Sequence, residues 1–544
     1  MPQDEEAATR FLIDEESFAE TSGSGRGLTS ADSLGFMLAR DDIAVTRPAV
    51  FRFGRMFRAP NLSPFRPATA GLVALGLDMG ERADAGTIDN LPAGYVYLGQ
   101  FIDHDLSFNA KTNHMPGGAT LPEQEESLRS PSLDLDSLYG FDPVQLKQTD
   151  LGRRVYEDDG VRLRVGRTRQ DPDTGVPEEF LNDLPREGDP RKPEAAAIVD
   201  PRNDENLVVA QTHLSFIKFH NAVVERFAGG VLVGDALLNV AREQVVRHYQ
   251  WIILEDLLPK IIDRAVLDDV YDNGCRHFVL ASDEEPFVPF EFAMASFRFG
   301  HSLVRSQYQW NRIFQSRPHG LSPATLSNLF TFTGFSQQNL FNRKRLLSSW
   351  IVDWTRFFDF TGFPGAASHP RSNRGRKIVA ALSTGLTRLP PFMSDEEKLM
   401  SSLPTRNLLR GQMLGLPSGQ DVAARLGVQV LTPHQLKDGE DAQRRDILER
   451  FGFDRQTPLW YYILKEADRL GTGARLGPVG SRILAETFVG LIKRSRTSIL
   501  PPGPTGRPNW QPDLGRTRGQ FSMAELLFFV HQATDGGHLN PLGD

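Results

Sequence analysis

The chain has 544 residues, of which 40% are hydrophobic and 24% are charged, as in an ordinary folded globular protein. Its formal net charge of −8 argues against a nucleic-acid-binding protein, which would carry a basic stripe. Cys275 is the sole cysteine, so an intramolecular disulfide is excluded and a reducing compartment is favoured.

The N-terminal sequence, MPQDEEAATRFLIDEE, is acidic and lacks the basic flank and apolar core of a secretory signal peptide. No run of 18 apolar residues occurs, so no membrane span is expected. We therefore expect a cytoplasmic protein, or one exported without a conventional signal peptide, and we favour a monomer.

In chain order, the sequence predicts a mostly α-helical protein with a single large domain. Residues 1–40, which include the stretch TSGSGRGLTS, are expected to form a flexible extension, and residues 41–544 form the domain. Polar loops are predicted over 108–130 and 166–197. Apolar residues recur every three or four positions in segments that predict helices over 206–227, 237–262, 289–305, 343–359 and 480–495. Sustained alternation is scarce, so strands should be few and short.

The most informative segment is the octapeptide GQFIDHDL, residues 99–106. As a helix, it places Gln100, Asp103 and His104 at i, i+3 and i+4 on one face. Asp105 then points roughly 100° away from His104, by the helical repeat. One short helix would thus offer a polar cluster to a buried active site and a carboxylate to a second site.

The segment SPSLDLDSLYG, residues 130–140, is rich in side-chain oxygens. Ser130, Ser132, Asp134 and Asp136 form a set of oxygen ligands that suits a hard cation such as Ca²⁺. As a lone motif this is weak evidence, because Asp and Ser are also common in turns.

The segment IVDPRNDENL, residues 198–207, has the signals of a helix start. Asp200 is a suitable cap, and Pro201 suits the first helical position. Arg202 and Glu205 then share a face at i, i+3. By themselves these residues favour a surface ion pair at the start of a helix. His213 and His220 follow in the next predicted helix; no carboxylate or cysteine completes a metal site with them, so we interpret both as structural.

GQFIDHDL closely resembles the distal-histidine motif of the animal-type heme peroxidases, the peroxidase–cyclooxygenase superfamily, and the chain looks like a bacterial member. The resemblance implies a heme b cofactor with His104 and Gln100 in its distal pocket. It implies that Arg202 polarises the peroxide O–O bond, and that Asp103 and Glu205 form ester bonds to heme methyl groups. Asn206 stands where some relatives carry a sulfonium-forming methionine, so a third covalent link is not expected.

The segment ASFRFGHSLV, residues 295–304, matches the proximal side of the same family. The resemblance implies that His301 is the proximal iron ligand, and neutral imidazole is a standard axial ligand of heme. Arg298, one turn earlier, is placed to meet a heme propionate. In the segment LPTRNLLRG, residues 403–411, the resemblance assigns Asn407 to pair with His301, and Arg410 to a second propionate.

The resemblance also adds weight to the oxygen-rich segment, because the family uses Asp105 as a calcium ligand next to the distal histidine. A Ca²⁺ bound to Asp105 would fix the helix that positions His104. The expected calcium ligands are Asp105, Ser130, Ser132, Asp134 and Asp136.

The implied activity is reduction of H₂O₂ through an oxoferryl intermediate, followed by oxidation of halide, thiocyanate or a small aromatic donor. One alternative is a heme-dependent fatty-acid dioxygenase of the cyclooxygenase type. Such relatives place a radical-forming tyrosine three residues before the proximal histidine, where this chain has Arg298. The other alternative is a catalytically silent binding protein on a peroxidase scaffold. The joint presence of His104, Arg202, His301 and Asn407 argues against it.

Overall fold

The computed structural model describes residues 51–57, 62–82, 84–108, 126–186, 195–280, 284–316, 320–334, 340, 344–389 and 401–543. The predicted extension over residues 1–40 lies outside the described residues, as does most of the predicted loop over 108–130.

The described chain consists mainly of α-helices, as predicted. In the first half of the chain they are α1 (Thr69–Asp78), α2 (Gly94–Leu106), α3 (Asp136–Tyr139), α4 (Pro143–Lys147), α5 (Asp150–Val155), α6 (Leu207–Phe227), α7 (Gly234–Trp251), α8 (Leu258–Ile261) and α9 (Arg264–Asn273). In the second half they are α10 (Gly300–Leu303), α11 (Leu326–Thr331), α12 (Thr384–Thr387), α13 (Leu403–Met413), α14 (Gly419–Leu426), α15 (Pro433–Lys437), α16 (Ala442–Arg450), α17 (Leu459–Leu470), α18 (Pro478–Ile492) and α19 (Met523–Ala533).

The strands of the described residues are short and few, as the sequence predicted. They are β1 (Phe51–Gly54), β2 (Thr87–Pro92), β3 (Glu126–Ser127), β4 (Phe287–Pro289), β5 (Gln307–Tyr308), β6 (Ala324–Thr325) and β7 (Arg374–Arg376). β1 pairs antiparallel with β3 and parallel with β4, while β2 pairs with β7 and β5 with β6, both antiparallel. The strands therefore tie loops together at the edge of a helical core.

Three of the five predicted helices form close to their predicted bounds. The segments 206–227 and 480–495 correspond to α6 and α18. The segment 237–262 is also helical, but α7 and α8 are joined by a π-helical stretch at Ile252–Leu257.

The predicted helix over 289–305 is broken. A π-helical stretch at Phe292–Ser296 passes into a 3₁₀ turn at Phe297–Phe299 and then into α10. Because the number of residues per turn changes twice, side chains that a regular helix would spread around its axis line one cavity.

The predicted helix over 343–359 is wrong. The described part contains only 3₁₀ turns at Ser348–Trp350 and Trp354–Arg356, with extended backbone at Leu347 and Ile351. A serine in this segment bonds to a group that is distant in sequence instead of to a neighbouring turn. Ser348 donates to the carbonyl of Glu178 at 2.7 Å. Such side-chain bonds compete with helix formation, and here they override the apolar periodicity.

Helix α2 is held by apolar packing and by one close approach. Phe101 stacks on Phe216 of α6 with a centroid distance of 4.8 Å, and it meets the edge of Tyr249 of α7. At the start of α2, a Cβ on Gly94 would lie 2.2 Å from the Phe358 ring, so only glycine fits there. The orientation of α2 is thereby fixed before any ligand binds.

None of the helices in the described part of the chain has the length and the apolar character needed to cross a membrane.

Candidate active site

Polar side chains from four segments line one large cavity. They come from α2, from the 3₁₀ turn at Pro201–Asp204 with the residues just after it, from the broken segment 293–304, and from α13. The cavity and its mouth contain about 1480 Å³ of space free of protein atoms, a figure that includes open solvent at the mouth. A Cβ added to Gly99 or to Gly300, both on its wall, would meet no atom within 4 Å.

The α2 face of the cavity carries the predicted polar cluster. Gln100, Asp103 and His104 all line the cavity, which confirms that they share one helix face. Gln100 donates from Nε2 to Glu205 Oε1 at 3.2 Å, and that same oxygen lies 3.6 Å from His104 Nε2. Asn206, also on the wall, accepts from the Val208 amide and caps α6.

His104 is held neutral. Burial, followed by the charge of Arg202, lowers the pKa of His104 to about 3. Its Nδ1 lies 2.8 Å from Asn203 Oδ1, and this oxygen can only accept a hydrogen bond. His104 Nδ1 therefore carries the proton, and the unprotonated Nε2 points toward Glu205 and the cavity.

Arg202 is buried rather than exposed. Its Nη2 donates to the carbonyls of His104 and Ser107 at 3.0 and 2.6 Å, and to Asp200 Oδ2 at 2.8 Å. The expected cap forms, because Asp200 Oδ1 accepts from the Arg202 amide at 3.1 Å. Arg202 thus connects the turn that carries it to the C-terminal end of α2, and a surface ion pair does not describe its environment.

A second arginine shares the same carboxylate. Arg129 donates to Asp200 Oδ2 at 2.6 Å. Although burial by itself would raise the pKa of Asp200, Arg202 and Arg129 hold that pKa well below its usual range. The three side chains Arg202, Arg129 and Asp200 together carry one net positive charge, while the adjacent cavity wall also carries the carboxylates of Asp103 and Glu205.

The proximal segment places His301 on the cavity wall together with Arg298. Burial, followed by Arg298 and Arg406, lowers the pKa of His301 to about 3, so its imidazole is neutral. Asn407 lies 106 residues further along the chain. Its Nδ2 is 2.9 Å from His301 Nδ1, and its Oδ1 accepts a hydrogen bond from Arg298 at 2.8 Å. The fold therefore brings together the pair that only the family resemblance had connected.

Arg406 also lines the cavity, whereas Arg410, one turn later on α13, does not. Burial, followed by the charges of Arg410 and Arg406, lowers the pKa of Arg298 to about 9. All three arginines are therefore close to one another at this end of the cavity, which favours an anionic ligand there. Sequence reasoning missed Arg406, although it precedes Asn407 in the segment LPTRNLLRG.

The predicted calcium residues lie on the far side of α2. Asp105 accepts from the amides of Leu135 and Ser137 at 3.1 and 3.0 Å. Asp136 accepts from the Ser130 amide, and Ser132 connects the Ser130 hydroxyl to Asp134, each at 2.8 Å. Burial, followed by the charge of Asp136, raises the pKa of Asp105 to about 7.

Within the described ranges, no group of three His, Cys, Asp or Glu side chains is arranged to hold a metal ion. Asp105 of α2 and Asp136 of the oxygen-rich segment are two neighbouring buried carboxylates, and Ser130 and Ser132 add hydroxyl oxygens. His220 Nε2 donates to the Val161 carbonyl, and His220 Nδ1 bonds to the Tyr139 hydroxyl, as expected for a structural histidine.

The sequence matches the family model of the animal haem peroxidases over residues 109–493, which is more than half of the chain. The chain belongs to the animal haem peroxidase family. Membership implies heme binding, and the residues around the cavity fit such a group. The matched range begins after α2, so the placement of His104 in the cavity rests on the structure.

The related sequences are animal peroxidases. The chain is 28% identical to Heme peroxidase 2 of Caenorhabditis elegans over 60% of this chain and 43% of that protein. It is 22% identical to Peroxidasin of Drosophila melanogaster over 68% of this chain and 23% of that protein. The matches thus span less than half the length of these curated relatives.

Solved structures share the fold. Peroxidase A of Dictyostelium discoideum superposes with a TM-score of 0.56 at 16% identity, covering 84% of this chain and 89% of that chain. A fatty acid alpha-dioxygenase of Oryza sativa gives a TM-score of 0.54 at 11% identity, covering 92% and 89%. At these identities the likeness concerns the fold only, and both activities occur on it.

Proposed function

We propose that this protein is a heme peroxidase that reduces H₂O₂ and oxidises a halide, thiocyanate or a small aromatic donor. The observation that carries the proposal is the meeting of His104, Arg202 and His301 on the wall of one cavity, although they are up to 197 residues apart in sequence. Each has the chemistry that the role needs: a neutral base, a buried cation and a neutral imidazole ligand.

The cavity offers partners for each part of a heme. His301 would ligate the iron, and the positive region around Arg298 and Arg406 would hold the propionates. Gly99 and Gly300 leave the wall open where a flat macrocycle needs space. A ligating His301 would donate from Nδ1, so the Asn407 amide would turn its oxygen to His301 once a propionate engages Arg298.

Bound heme would supply the iron at which the peroxide is reduced. His104 Nε2, unprotonated and directed to the cavity, would take a proton from H₂O₂ and return it to the leaving oxygen. Arg202 would stabilise the negative charge that develops on that oxygen. Gln100, bonded to Glu205, would hold a water or a halide beside His104.

Two further features belong to the same proposal. Asp103 and Glu205 lie on the cavity wall, where oxidative ester bonds to heme methyl groups would form with H₂O₂ as the oxidant. Retention of heme by the protein in acidified organic solvent would indicate these ester bonds. The set Asp105, Ser130, Ser132, Asp134 and Asp136 would bind Ca²⁺ behind α2, supported by the hydrogen-bonded cluster that their oxygens form.

Fatty-acid dioxygenation is the second candidate. It is favoured by the apolar part of the cavity wall, which a fatty acyl chain would suit; this part comprises Leu257, Ile261, Leu326, Phe330, Leu386, Leu389 and Leu403. Arg298 argues against it, because a radical-forming tyrosine would be needed three residues before His301.

The deciding experiment is the optical spectrum of the heme-reconstituted protein before and after H₂O₂, with bromide or a phenol as donor. We expect a Soret band that shifts with peroxide, together with donor turnover. The variant His301→Ala should lose stable heme binding, whereas His531→Ala, which changes a histidine outside the cavity, should retain it. Oxygen uptake with a fatty acid and no peroxide response would support the dioxygenase, and the absence of heme binding would contradict both activities.

A further inference from the structure

A buried amide joins two buried histidines behind the cavity wall. Asn203 lies in the turn at Pro201–Asp204 and is fully buried. Its Oδ1 is 2.8 Å from His104 Nδ1, and its Nδ2 is 2.9 Å from His213 Nδ1. His213 belongs to α6, where the sequence indicated only a structural histidine. The three side chains form a continuous chain of hydrogen bonds from α2 to α6.

The two ends of an amide are chemically different, and this difference fixes the protons along the chain. Oδ1 can only accept, so His104 Nδ1 must donate and His104 Nε2 is left with a lone pair. Nδ2 can only donate, so His213 Nδ1 must accept. If the amide were reversed, His104 would carry its proton on Nε2 and would offer the cavity a donor instead of a base.

Neighbouring contacts hold Asn203 at a defined place. The backbone N–H of Asn203 donates to the Asp200 carbonyl at 3.1 Å. This bond lies inside the turn to which Arg129 and Arg202 are tied through the Asp200 carboxylate. The next residue, Asp204, is buried and pairs with Arg186. The His213 ring meets the edge of Phe101, with centroids 5.8 Å apart. None of these contacts depends on a ligand in the cavity.

We infer that Asn203 is a positioning residue that sets the tautomer of His104, and that His213 sets the orientation of the Asn203 amide. The inference rests on the proposed function, in which His104 is the proton acceptor. A base presented in the wrong tautomer loses its activity although its position is unchanged. An aspartate at position 203 would still accept from His104 Nδ1, but it would not donate to His213.

The test uses the full-length, heme-reconstituted protein in its diamagnetic ferrous carbon monoxide form, with ¹⁵N-labelled histidine. Correlations between ring protons and ring nitrogens report which nitrogen carries the proton, and the His104→Gln spectrum assigns the His104 signals. We expect the Nδ1–H form in the wild type and in Asn203→Asp, and a mixture of the two forms in Asn203→Leu and His213→Phe.

The second readout is the association rate of cyanide with the ferric protein, because hydrogen cyanide must give its proton to the distal base as it binds. Asn203→Leu should lower this rate roughly 10- to 100-fold, the range by which activity falls when the hydrogen-bond partner of a metal-ligating histidine is removed. Asn203→Asp should restore most of it. His220→Gln, which changes another buried histidine of α6, is the matched control and should leave the rate unchanged.

An Nε2–H tautomer in the wild type would overturn the inference, and this measurement requires no variant at position 203 or 213. The inference would also be overturned if Asn203→Leu bound heme normally and associated with cyanide as fast as the wild type. The rate of His104→Gln separates the two proposals. If it is also unchanged, His104 is not the base and the proposed function fails; if it falls while Asn203→Leu does not respond, only the role of Asn203 fails.

Discussion

At the scale of single residues, His104 and His301 show how different surroundings suit one kind of side chain to the two roles proposed for it. Burial lowers the pKa of each to about 3, and nearby arginines add to the effect, so both imidazoles are neutral. The difference lies in the partner of Nδ1. His104 faces the oxygen of Asn203, whereas His301 faces the amide group of Asn407, which Arg298 also contacts.

His104→Ala is expected to slow the reaction with H₂O₂ about 10²- to 10⁴-fold, because one positioned acid–base group contributes that much. Stopped-flow spectra of the heme-loaded protein measure this rate. His220→Gln is the control, since it removes an equally buried histidine away from the cavity. An unchanged rate in His104→Ala would remove this residue from the mechanism.

His220 is expected to make stability depend on pH. Burial lowers its folded-state pKa to about 4, against about 6.5 in an unfolded chain. Below pH of about 6.5 the unfolded state therefore binds one more proton at this residue, and stability falls until the pH reaches about 4.

The urea midpoints of the wild type and of His220→Gln measure this effect without the contribution of other groups. At neutral pH the wild type should be more stable, because Tyr139 and the Val161 carbonyl bond to His220. The difference should narrow as the pH falls from about 6.5 to about 4. If the difference between the two urea midpoints did not change with pH, His220 would have the same pKa in the folded and unfolded states.

At the scale of secondary structure, irregular helices build the site. The π-helical stretches at Ile252–Leu257 and Phe292–Ser296 both contribute residues to the cavity wall. A regular helix over 289–305 would place Met294, Arg298 and His301 on one side, because residues four and seven apart share a face. It would turn Phe299 roughly 140° away from Met294, by the helical repeat, yet Phe299 also lines the cavity here. Helix α2, by contrast, is regular and needs only correct packing.

The packing of α2 on α6 gives a stability prediction. Phe101→Ala should lower the free energy of unfolding by about 3–5 kcal/mol, because it removes a fully buried ring stacked on Phe216. Thermal unfolding followed by circular dichroism measures the loss. Leu77→Ala on α1, at a side chain that is 50% exposed, should change stability by no more than about 0.5 kcal/mol. Equal effects of the two variants would contradict the packing argument.

At the scale of the whole molecule, buried carboxylates join distant parts of the chain to a single core. Glu291 accepts from the Met56 amide, and Glu486 accepts from the amides of Arg276, His277 and Phe278. Each carboxylate accepts hydrogen bonds from backbone N–H groups of a loop, which are not used in strand pairing or in a helix. The loops around the helical core are thereby fixed without disulfides.

Calcium removal is expected to destabilise the whole domain. A ligand that binds only the folded state adds about 2.7 kcal/mol at a concentration of 100 times its dissociation constant. A calcium chelator should therefore lower the melting temperature, and added Ca²⁺ should restore it. Asp136→Asn should abolish this response, whereas Asp142→Asn, which alters a half-buried helix cap on α4, should retain it. If the chelator did not change the melting temperature of the wild type, the proposed calcium site would be contradicted.

The sequence by itself determined the helical class, the scarcity of strands and the local order of the site. Gln100, Asp103 and His104 share a face because the helical repeat is a property of neighbouring residues. The Asp200 cap and α6 followed from equally local signals. The pairing of His301 with Asn407 was reached only through the family resemblance.

The tertiary structure decided what depends on distant contacts. Arg406 on the cavity wall, Asn203 between His104 and His213, and the failure of the predicted helix over 343–359 have no local signature. Periodicity reports which face of a segment is apolar, but not which group lies opposite it. Hydrogen bonds and charges act over a few ångströms in space, so their partners are known only once the chain has folded.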